Sequence, residues 1–438
     1  MVNKQRFPDM KNMTDYAHSL GLRAGWYGNN CICNDKCNSE SCYQGDVSAL
    51  IAFGFDAVKL DGCGAEYNLD LWASLINETG KAIETENCHW GATLPNATWC
   101  PWNFYRTSGD VSANFGSVMG NLETVPPLAD KNLSTPGCWA YPDMLEVGCS
   151  FGPHGSGDPG LSIQETRTHF GGWAIVSSPL TLSHDVNNDT LTDLIWPVIS
   201  NKEAIAVNQE YYGFSGSSFK KPVGPPAPGK YALALPCDSN DATQKGWAYD
   251  QVAQSITYAG QCVDSTTESQ LLLAPCSGTN NQKFAHNVSA TNPTPFFPAG
   301  QPGQCVDVWA GNGPPGGPAL QIYGCHLPTH NQQFLVSGGT ISNQDNLCWS
   351  SRDSEPGALS YLYKPMSWDK TKYAVLLINV DSASQDLSFT FASVPGLVGT
   401  QCNIRDIWAR QDLGSATDSF TAKAVAGHDS AFLMLNCA

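Results

Sequence analysis

The segment Phe53-Gly-Phe-Asp-Ala-Val-Lys-Leu-Asp-Gly-Cys63 indicates the fold of the N-terminal half of this 438-residue chain. Ala57–Asp61 reads as a short buried strand that ends in a carboxylate, and the preceding Val47–Phe53 has helix-like spacing. A helix followed directly by a buried strand is typical of a parallel β/α unit. A carboxylate held at the end of such a strand suits a nucleophile, although Asp-Gly is also a common turn.

The same alternation of helices and strands continues on both sides of this segment. We predict six strands over residues 1–215, which are Leu22–Gly28, Ala57–Asp61, Asn87–Gly91, Phe104–Asp110, Asp143–Val147 and Leu180–Ser183. Polar side chains mark the strand ends, namely Asp61, His89, Asp110, Asp143 and Asp185. The active site of a (β/α)8 barrel lies at the carboxyl ends of its strands. Because a full barrel has eight strands, the sequence predicts an incomplete TIM barrel.

The charge of the chain excludes some classes of partner. Its formal net charge is −17, with 23 basic and 40 acidic residues, so it lacks the cationic surface that nucleic acids require. Anionic membrane surfaces are disfavoured for the same reason. No apolar run approaches the roughly 18 residues of a spanning helix.

The cysteine count indicates an oxidising compartment, because 17 cysteines are typical of a disulfide-bonded protein. An odd number leaves at least one cysteine unpaired within the chain. Six N-x-S/T sequons agree with this compartment, and their asparagines are Asn12, Asn77, Asn96, Asn132, Asn188 and Asn287. We therefore expect a secreted or a lysosomal or vacuolar protein. Residues 1–8 do not form a signal peptide, so either the sequence lacks its start or the protein is not secreted.

The C-terminal half divides into a linker, a repeated segment and a β domain. Residues 216–230 are rich in Gly, Pro and Ser, as expected of a linker. In residues 231–355, Cys262, Cys305 and Cys348 open three copies of one repeat at intervals of 43 residues, and one copy is split between the two ends of the segment. Residues 356–438 alternate apolar and polar positions, which predicts an antiparallel β domain.

A second carboxylate, Asp110, ends the run that begins at Arg106. Two carboxylates flanking one bond are the basic requirement of glycoside hydrolysis. Taken alone, Asp110 could equally be the N-cap of the stretch that follows, and Arg106 could pair with a surface acid.

The order of several motifs strengthens the catalytic interpretation. These are Leu22-Arg-Ala-Gly-Trp-Tyr27, Val58-Lys-Leu-Asp-Gly-Cys63, Cys88-His-Trp-Gly91, Tyr105-Arg-Thr-Ser-Gly-Asp110, Tyr141-Pro-Asp-Met-Leu-Glu-Val-Gly148 and Ala204-Ile-Ala-Val-Asn-Gln209. Together they resemble the α-galactosidase and α-N-acetylgalactosaminidase family, glycoside hydrolase family 27. The resemblance covers about residues 5–215 and resumes around Ile404–Trp408, so that the C-terminal domain is expected to be an antiparallel β-sandwich.

The resemblance implies a double-displacement mechanism with retention of configuration. Asp61 matches the nucleophile and Asp110 matches the acid/base. The residues expected to bind the sugar are Tyr27, Lys59, His89, Trp90, Arg106 and Asp143. No metal or other cofactor is implied, and the expected substrates are α-galactosides.

The sequence departs from the family pattern in two places that matter for the site. The family begins with two further β/α units, the second of which carries a paired Asp motif, so this chain resembles a family member truncated at its N-terminus. His89 stands where the family has a glutamate. The substrate could therefore be N-acetylgalactosamine or another α-linked sugar. A second alternative is a galactose-binding protein with a degenerate barrel and no catalysis.

The repeated segment resembles a ricin-B-type β-trefoil, a lectin fold. The resemblance implies sugar binding by Asp264 with Asn281 and by Asp307 with Asn331, and Trp309 is a candidate for stacking on the sugar. We predict the disulfide bonds Cys262–Cys276, Cys305–Cys325 and Cys237–Cys348.

The cluster Cys31, Cys33, Cys37 and Cys42 could suggest zinc, but its spacing lacks two CxxC pairs, which favours disulfide bonds. The family resemblance implies that one of the four pairs with Cys63.

Overall fold

The computed structural model describes residues 3–30, 36–149, 160–220, 231–265, 271–288, 292–308, 320–327, 329–352 and 361–438. Within those ranges, none of the helices has the length and apolar character needed to cross a membrane.

The N-terminal region contains a parallel sheet whose strands are paired in the order of the chain. The strands are β1 (Gly25–Gly28), β2 (Ala57–Asp61), β3 (Glu84–Cys88), β4 (Phe104–Arg106) and β5 (Trp139–Tyr141). The helices of the region are α1 (Met10–Ser19), α2 (Glu40–Ala52), α3 (Leu69–Glu78), α4 (Phe115–Leu122), α5 (Pro126–Ala129), α6 (Ile163–Ile175), α7 (Asp189–Ile199) and α8 (Lys202–Gln209). Because sequential parallel strands lie side by side, their carboxyl ends meet at one edge of the sheet.

The strand register places four of the predicted site residues, Tyr27, Lys59, Asp61 and Arg106, in two rows on the same face of the sheet. One row consists of Tyr27, Lys59, Glu86, Phe104 and Trp139, which are successive partners across the five strands. The next row toward the carboxyl ends pairs Asp61 with Cys88 and Arg106 with Tyr141. Side chains two residues apart on a strand point to the same face, so both rows face the same side.

Of the six predicted strands, one is present as predicted, three are present with altered bounds, and two are wrong. Ala57–Asp61 is as predicted, whereas the strands expected at Leu22–Gly28 and Phe104–Asp110 are shorter. The strand expected at Asn87–Gly91 runs instead from Glu84 to Cys88. Its start was not predicted, because polar residues occupy its first positions.

The strand predicted at Asp143–Val147 lies earlier, at Trp139–Tyr141. Pro142 interrupts it, because proline cannot donate to a sheet, and Asp143 has a φ of 83°. The segment predicted as Leu180–Ser183 forms only an isolated parallel bridge, between Leu182 and Leu145. The incomplete barrel remains a prediction.

Helix α6 links the N-terminal region to the C-terminal sheet. It begins with a capping box in which Ser162 and Glu165 bond to each other's backbone amides, which satisfies two N–H groups of the first turn. From Phe170 to Ile175 every residue is buried, and α6 contacts α4, α7 and α8 as well as strands of the C-terminal sheet. A helix that is buried on all sides belongs to the core shared by two units.

The repeated segment forms a β unit with its own hydrophobic core, around Trp247, Phe284, Phe296, Phe334 and Trp349. After strand β6 (Ser217–Lys220), its strands are β7 (Tyr231–Pro236), β8 (Ala248–Asp250), β9 (Ser255–Tyr258), β10 (Gln261–Asp264), β11 (Leu272–Ala274), β12 (Phe284–His286), β13 (Phe296–Pro298), β14 (Gln304–Val308), β15 (Leu320–Gly324), β16 (Leu335–Ser337), β17 (Thr340–Ser342) and β18 (Leu347–Arg352).

The disulfide bonds of this unit are the three predicted from the repeat. They join Cys237 to Cys348, Cys262 to Cys276 and Cys305 to Cys325. The first of them connects β7 with β18, so it closes the copy that is split between the two ends of the segment. The ricin-B-type trefoil itself remains a prediction.

The C-terminal domain is built of antiparallel strands. They are β19 (Tyr361–Pro365), β20 (Lys372–Ile378), β21 (Gln385–Thr390), β22 (Gln401–Asp406), β23 (Gln411–Thr417), β24 (Ser419–Val425) and β25 (Ser430–Cys437). The larger sheet has the order β23-β22-β25-β20-β19-β6, and β21 pairs with β24. A Cys402–Cys437 disulfide bond joins β22 to β25.

The linker predicted at residues 216–230 is wrong at its start. Ser217–Lys220 is strand β6, which pairs with β19 at the edge of the C-terminal sheet. The sequence Ser-Ser-Phe-Lys has one apolar residue and therefore no alternating pattern. Because β6 and β19 are neighbours, the repeated segment is an insertion between two adjacent strands of the C-terminal domain.

The two disulfide bonds Cys237–Cys348 and Cys262–Cys276 differ in loop length, with separations of 111 and 14 residues. Replacing both cysteines of the longer loop by serine is expected to lower the free energy of unfolding by about 2 kcal/mol more than the same change in the shorter loop, because the longer crosslink restricts the unfolded chain more. Urea unfolding followed by tryptophan fluorescence measures both. Equal losses, or a larger loss for the shorter loop, would contradict this account.

Candidate active site

A cavity of about 1070 Å³ opens at the carboxyl ends of the parallel strands. It is lined by seven of the eight residues predicted for catalysis and sugar binding, which are Tyr27, Lys59, Asp61, Trp90, Arg106, Asp110 and Asp143. The sheet therefore brings together side chains that are spread over more than one hundred residues of sequence.

Asp61 is held rigidly at the end of β2. Its side chain is only 4% exposed. One carboxylate oxygen accepts a hydrogen bond from the backbone N–H of Cys63 at 3.1 Å. The other accepts from the amide of Asn30 at 3.2 Å and from the hydroxyl of Tyr27. Burial, together with the neighbouring Asp61, raises the pKa of Tyr27, so its hydroxyl remains a donor to this carboxylate.

Arg106 connects Asp110 with Asp143. Its guanidinium is buried and lies 3.0 Å from a carboxylate oxygen of each residue. It also donates to the backbone carbonyl of Ser108 at 3.1 Å. Burial acts against the positive charge, but the carboxylates of Asp143 and Asp110 outweigh it and raise the pKa of Arg106. Asp110 is 42% exposed, so the two candidate catalytic carboxylates have different surroundings.

Asp143 has a strained backbone at the floor of the cavity. Its φ of 83° is uncommon for any residue other than glycine. The conformation is maintained because Asp143 accepts from the backbone N–H of Val111 at 2.9 Å and its carbonyl accepts from the indole of Trp173 at 2.6 Å. Strain that the surroundings hold in place is frequent at functional sites.

Lys59 lies between the aromatic ring of Tyr27 and the carboxylate of Glu86. Its ammonium is 5.3 Å from the centre of the Tyr27 ring and 3.4 Å from a carboxylate oxygen of Glu86. Burial raises the pKa of Glu86, while Lys59 and Arg106 act in the opposite direction. Glu86 is not among the residues predicted for the site, although its position two residues before Cys88 on β3 places it in the same row as Lys59.

His89 is the one predicted sugar-binding residue that does not line the cavity. Cys88 occupies the inward position on β3, so the next side chain points away. The His89 ring is 1% exposed, stacks on Tyr67 at 4.0 Å and bonds to the hydroxyl of Thr93 at 2.8 Å. Burial lowers the pKa of His89 to about 4, so the ring is neutral near pH 7. His89 is therefore outside the lining of the cavity, and its assignment as a sugar contact stays a prediction.

The rest of the cavity consists of residues that the sequence analysis did not assign to it. Among the described cysteines, Cys88 and Cys149 have free thiols, and both line the cavity. Further lining residues are Asn30, Cys63, Val111, Met144, Glu146, Gly148, Ser183, His184, Asp185, Asn188 and Leu191. Of these residues, only Asp185 could have been assigned to the cavity from the sequence, because it is a polar residue that follows a predicted strand.

The cysteine cluster of the N-terminal region is disulfide-bonded in part. Cys37 pairs with Cys42, and Cys63 also takes part in a disulfide bond. The pairing of Cys31 and Cys33 lies outside the described residues. The described parts of the chain contain no group of three or more His, Cys, Asp or Glu residues that could hold a metal ion.

In the repeated segment, the structure joins Asp307 to Asn331, which were predicted as a sugar-binding pair. The amide of Asn331 donates to Asp307 at 2.7 Å, and Gln332 and Gln321 donate to the same carboxylate at 3.0 and 2.9 Å. At the other predicted site, Asp264 accepts from Gln282 at 3.0 Å. The predicted stacking residue Trp309 lies outside the described residues.

Comparison with protein families identifies two matching parts of the chain. Residues 1–210 match the melibiase model described as alpha galactosidase A, and residues 356–435 match the alpha galactosidase C-terminal beta sandwich domain.

Comparison with curated proteins finds α-galactosidases. The chain is 32% identical over 233 residues to an α-galactosidase of Oryza sativa subsp. japonica, a match that covers 51% of this chain and 52% of the relative. It is 30% identical over 236 residues to alpha-galactosidase A of Cellvibrio japonicus, covering 48% and 54%. The chain thus spans about half the length of the curated relatives it matches.

Solved structures share the fold at low identity. The α-galactosidase of Saccharomyces cerevisiae with raffinose is 16% identical, with a TM-score of 0.57 and coverage of 99% of this chain and 84% of that chain. Alpha-galactosidase I from Mortierella vinacea is 18% identical, with a TM-score of 0.54 and coverage of 98% and 80%. These neighbours indicate a TIM barrel followed by a C-terminal β-sandwich.

The buried His89 makes the stability of the fold sensitive to acid. Between its ordinary pKa of 6.5 and its folded pKa of about 4, the unfolded chain binds a proton that the folded protein does not. The free energy of unfolding should therefore fall as the pH is lowered through this range. His89→Gln, which cannot take up the proton, is expected to lose less stability than the unmodified protein between about pH 7 and about pH 4.5 in urea unfolding. Equal losses in the two proteins would refute the assignment.

Proposed function

The chain belongs to the α-galactosidase family of glycoside hydrolases through residues 1–210 and 356–435, and we propose that it hydrolyses terminal α-linked galactose with retention of configuration. The observation that carries this proposal is the presence of Asp61 and Asp110 on one cavity in different surroundings. A retaining glycosidase needs one ionised carboxylate as nucleophile and one carboxyl group that exchanges protons with the leaving group and with water.

In the first step, Asp61 attacks the anomeric carbon of the bound galactoside. The bond from that carbon to the leaving oxygen breaks, and Asp110 donates its proton to this oxygen. The hydrogen bonds from Cys63, Asn30 and Tyr27 support Asp61 in this role, because they fix its orientation and stabilise its negative charge.

In the second step, water releases the sugar from Asp61. Asp110, now ionised, takes a proton from the water as its oxygen attacks the anomeric carbon from the side that the leaving group vacated. The exposure of Asp110 supports this role, because the residue must reach both the leaving group and the incoming water. Arg106 holds Asp110 in place through both steps.

The remaining charged residues of the cavity would recognise sugar hydroxyls. Lys59 can donate and Asp143 can accept, and each forms an ion pair with a neighbour, Glu86 and Arg106 respectively. The choice of galactose over N-acetylgalactosamine or another α-linked sugar rests on the names of the curated relatives. Because His89 is buried, it gives no basis for preferring galactose or for preferring N-acetylgalactosamine or another sugar.

The proposal extends to the other parts of the chain. Residues 1–215 would form the catalytic barrel, residues 231–355 a ricin-B-type carbohydrate-binding trefoil and residues 356–438 the C-terminal sandwich. The insertion of the trefoil between β6 and β19 supports an accessory role, because it lies outside the catalytic sequence. The disulfide bonds and the sequons favour a secreted or a lysosomal or vacuolar location.

The catalytic proposal is tested with two variants and two substrates. Asp61→Asn is expected to lower kcat about 10³-fold or more on both an aryl α-galactoside and a galactose-containing oligosaccharide, because the nucleophile is lost in each case. Asp110→Asn should impair the oligosaccharide more than the aryl substrate, whose leaving group needs less help from an acid.

Asp386→Asn, on the exposed surface of the C-terminal domain, provides the control and should leave both rates unchanged. Full activity in Asp61→Asn would exclude Asp61 as the nucleophile. No activity in the unmodified chain on either substrate, with galactose binding intact, would favour a lectin without catalysis.

The trefoil is expected to bind galactose through Asp307. This carboxylate accepts three amide hydrogen bonds, which pre-organise it for sugar hydroxyls. Asp307→Asn should weaken retention on immobilised galactose about tenfold, because a charged acceptor is lost, and should leave hydrolysis of a small galactoside unchanged. Asp250→Asn, an exposed position of the same segment outside both predicted sugar sites, is the control and should leave retention unchanged. Unchanged retention in Asp307→Asn would contradict this assignment.

A further inference from the structure

We propose that Asn188 carries an N-linked oligosaccharide and that this oligosaccharide restricts access of large substrates to the cavity. Asn188 begins the sequon Asn188-Asp189-Thr190, is exposed and lines the cavity. The asparagines of the other five sequons are exposed as well, but none of them lines the cavity. The position of Asn188 therefore sets it apart from the others.

The side-chain amide of Asn188 is oriented by its place at the start of α7. As the N-cap of this helix, its Oδ1 accepts from the backbone N–H of Leu191 at 3.1 Å. No described residue forms a hydrogen bond with Nδ2 of Asn188. Because the amide group is planar, fixing Oδ1 also fixes Nδ2, which points away from the helix N–H groups. Among the described residues, the nitrogen that would bear the sugar has no partner, and the helix sets its direction.

The modification needs a donor that the secretory pathway of a eukaryotic cell supplies, a polyprenyl pyrophosphate-linked oligosaccharide. A bond forms between Nδ2 of Asn188 and the anomeric carbon of the oligosaccharide, and the bond from that carbon to the pyrophosphate breaks. The amide loses one proton, which balances the negative charge left on the pyrophosphate. The side chain keeps its carbonyl oxygen, so the N-cap bond to Leu191 persists after the modification.

The position at the cavity predicts a steric effect on substrates, and this part of the inference rests on the proposed function. Asp185, Asn188 and Leu191 line the cavity together with Tyr27 and Trp90, and the exposed Asn188 lies where the cavity meets solvent. A branched oligosaccharide on Asn188 would occupy space over the cavity mouth. A small α-galactoside fits past it, whereas galactose attached to a polysaccharide brings a bulky aglycone into the same space.

The experiment uses the full chain secreted from yeast in three forms. Thr190→Ala removes the sequon without changing Asn188, and Thr190→Ser retains it at the same exposed position. Peptide mass spectrometry after endoglycosidase treatment measures occupancy of Asn188, and hydrolysis rates are measured on an aryl α-galactoside and on a galactomannan. Asn77→Gln, which removes a sequon on the exposed face of α3, controls for loss of an unrelated glycan.

The inference predicts sugar on Asn188 in the unmodified chain and in Thr190→Ser, and none in Thr190→Ala. It also predicts that Thr190→Ala raises kcat/KM on galactomannan about threefold or more, with little change on the aryl substrate and no such effect in Asn77→Gln. An unmodified Asn188 peptide would overturn the proposal, and occupancy without the change in rate ratio would overturn its steric part. If no form is active on either substrate, the proposed function fails, while the occupancy of Asn188 still decides whether the site is modified.

Discussion

The buried guanidinium of Arg106 is the interaction on which the cavity depends. It lies at the end of β4 and holds Asp110, Asp143 and the carbonyl of Ser108 at about hydrogen-bond distance. A buried charge is costly unless it is paired and hydrogen-bonded, and here two carboxylates supply the pairing. Removing Arg106 would leave Asp143 uncompensated and would release the exposed Asp110. One side chain thus fixes both the acid/base candidate and a sugar-binding candidate.

The C-terminal domain supports this arrangement through α6. Trp173 of that helix donates to the carbonyl of Asp143, which helps to hold the strained backbone at the cavity floor. On the opposite side of α6, Arg167 forms an ion pair with Asp429, and Thr168 donates to the carbonyl of His428. The helix is therefore fastened to the C-terminal sheet at one face and to the cavity at the other. This connection gives the β-sandwich a physical role in the geometry of the candidate site.

The sequence predicted the parts of the site that depend on strand ends and on repeats. Asp61 and Asp110 lie at the ends of predicted strands, and the disulfide bonds of the repeat were predicted from the positions of the cysteines within each copy. The roles of the residues came from the family resemblance. The sequence failed where tertiary contacts override the local pattern. The polar residues Glu84 and Glu86 prevented recognition of the start of strand β3. The orientation of His89 relative to the cavity could not be predicted either, because it depends on where β3 begins and ends. Strand β6 could not be recognised, because it is stabilised by pairing with β19, more than one hundred residues later.

These features describe one cavity, built by a parallel sheet and completed by charged pairs, in which we propose that Asp61 is the residue that bonds to the sugar. The most direct test is covalent trapping with a fluorinated α-galactosyl fluoride, which slows the second step so that the intermediate accumulates. Peptide mass spectrometry should then find one fluorinated sugar on the peptide that contains Asp61, and the same treatment of Asp61→Asn should give no label there. A label on another carboxylate, or none on a chain that hydrolyses galactosides, would contradict the account.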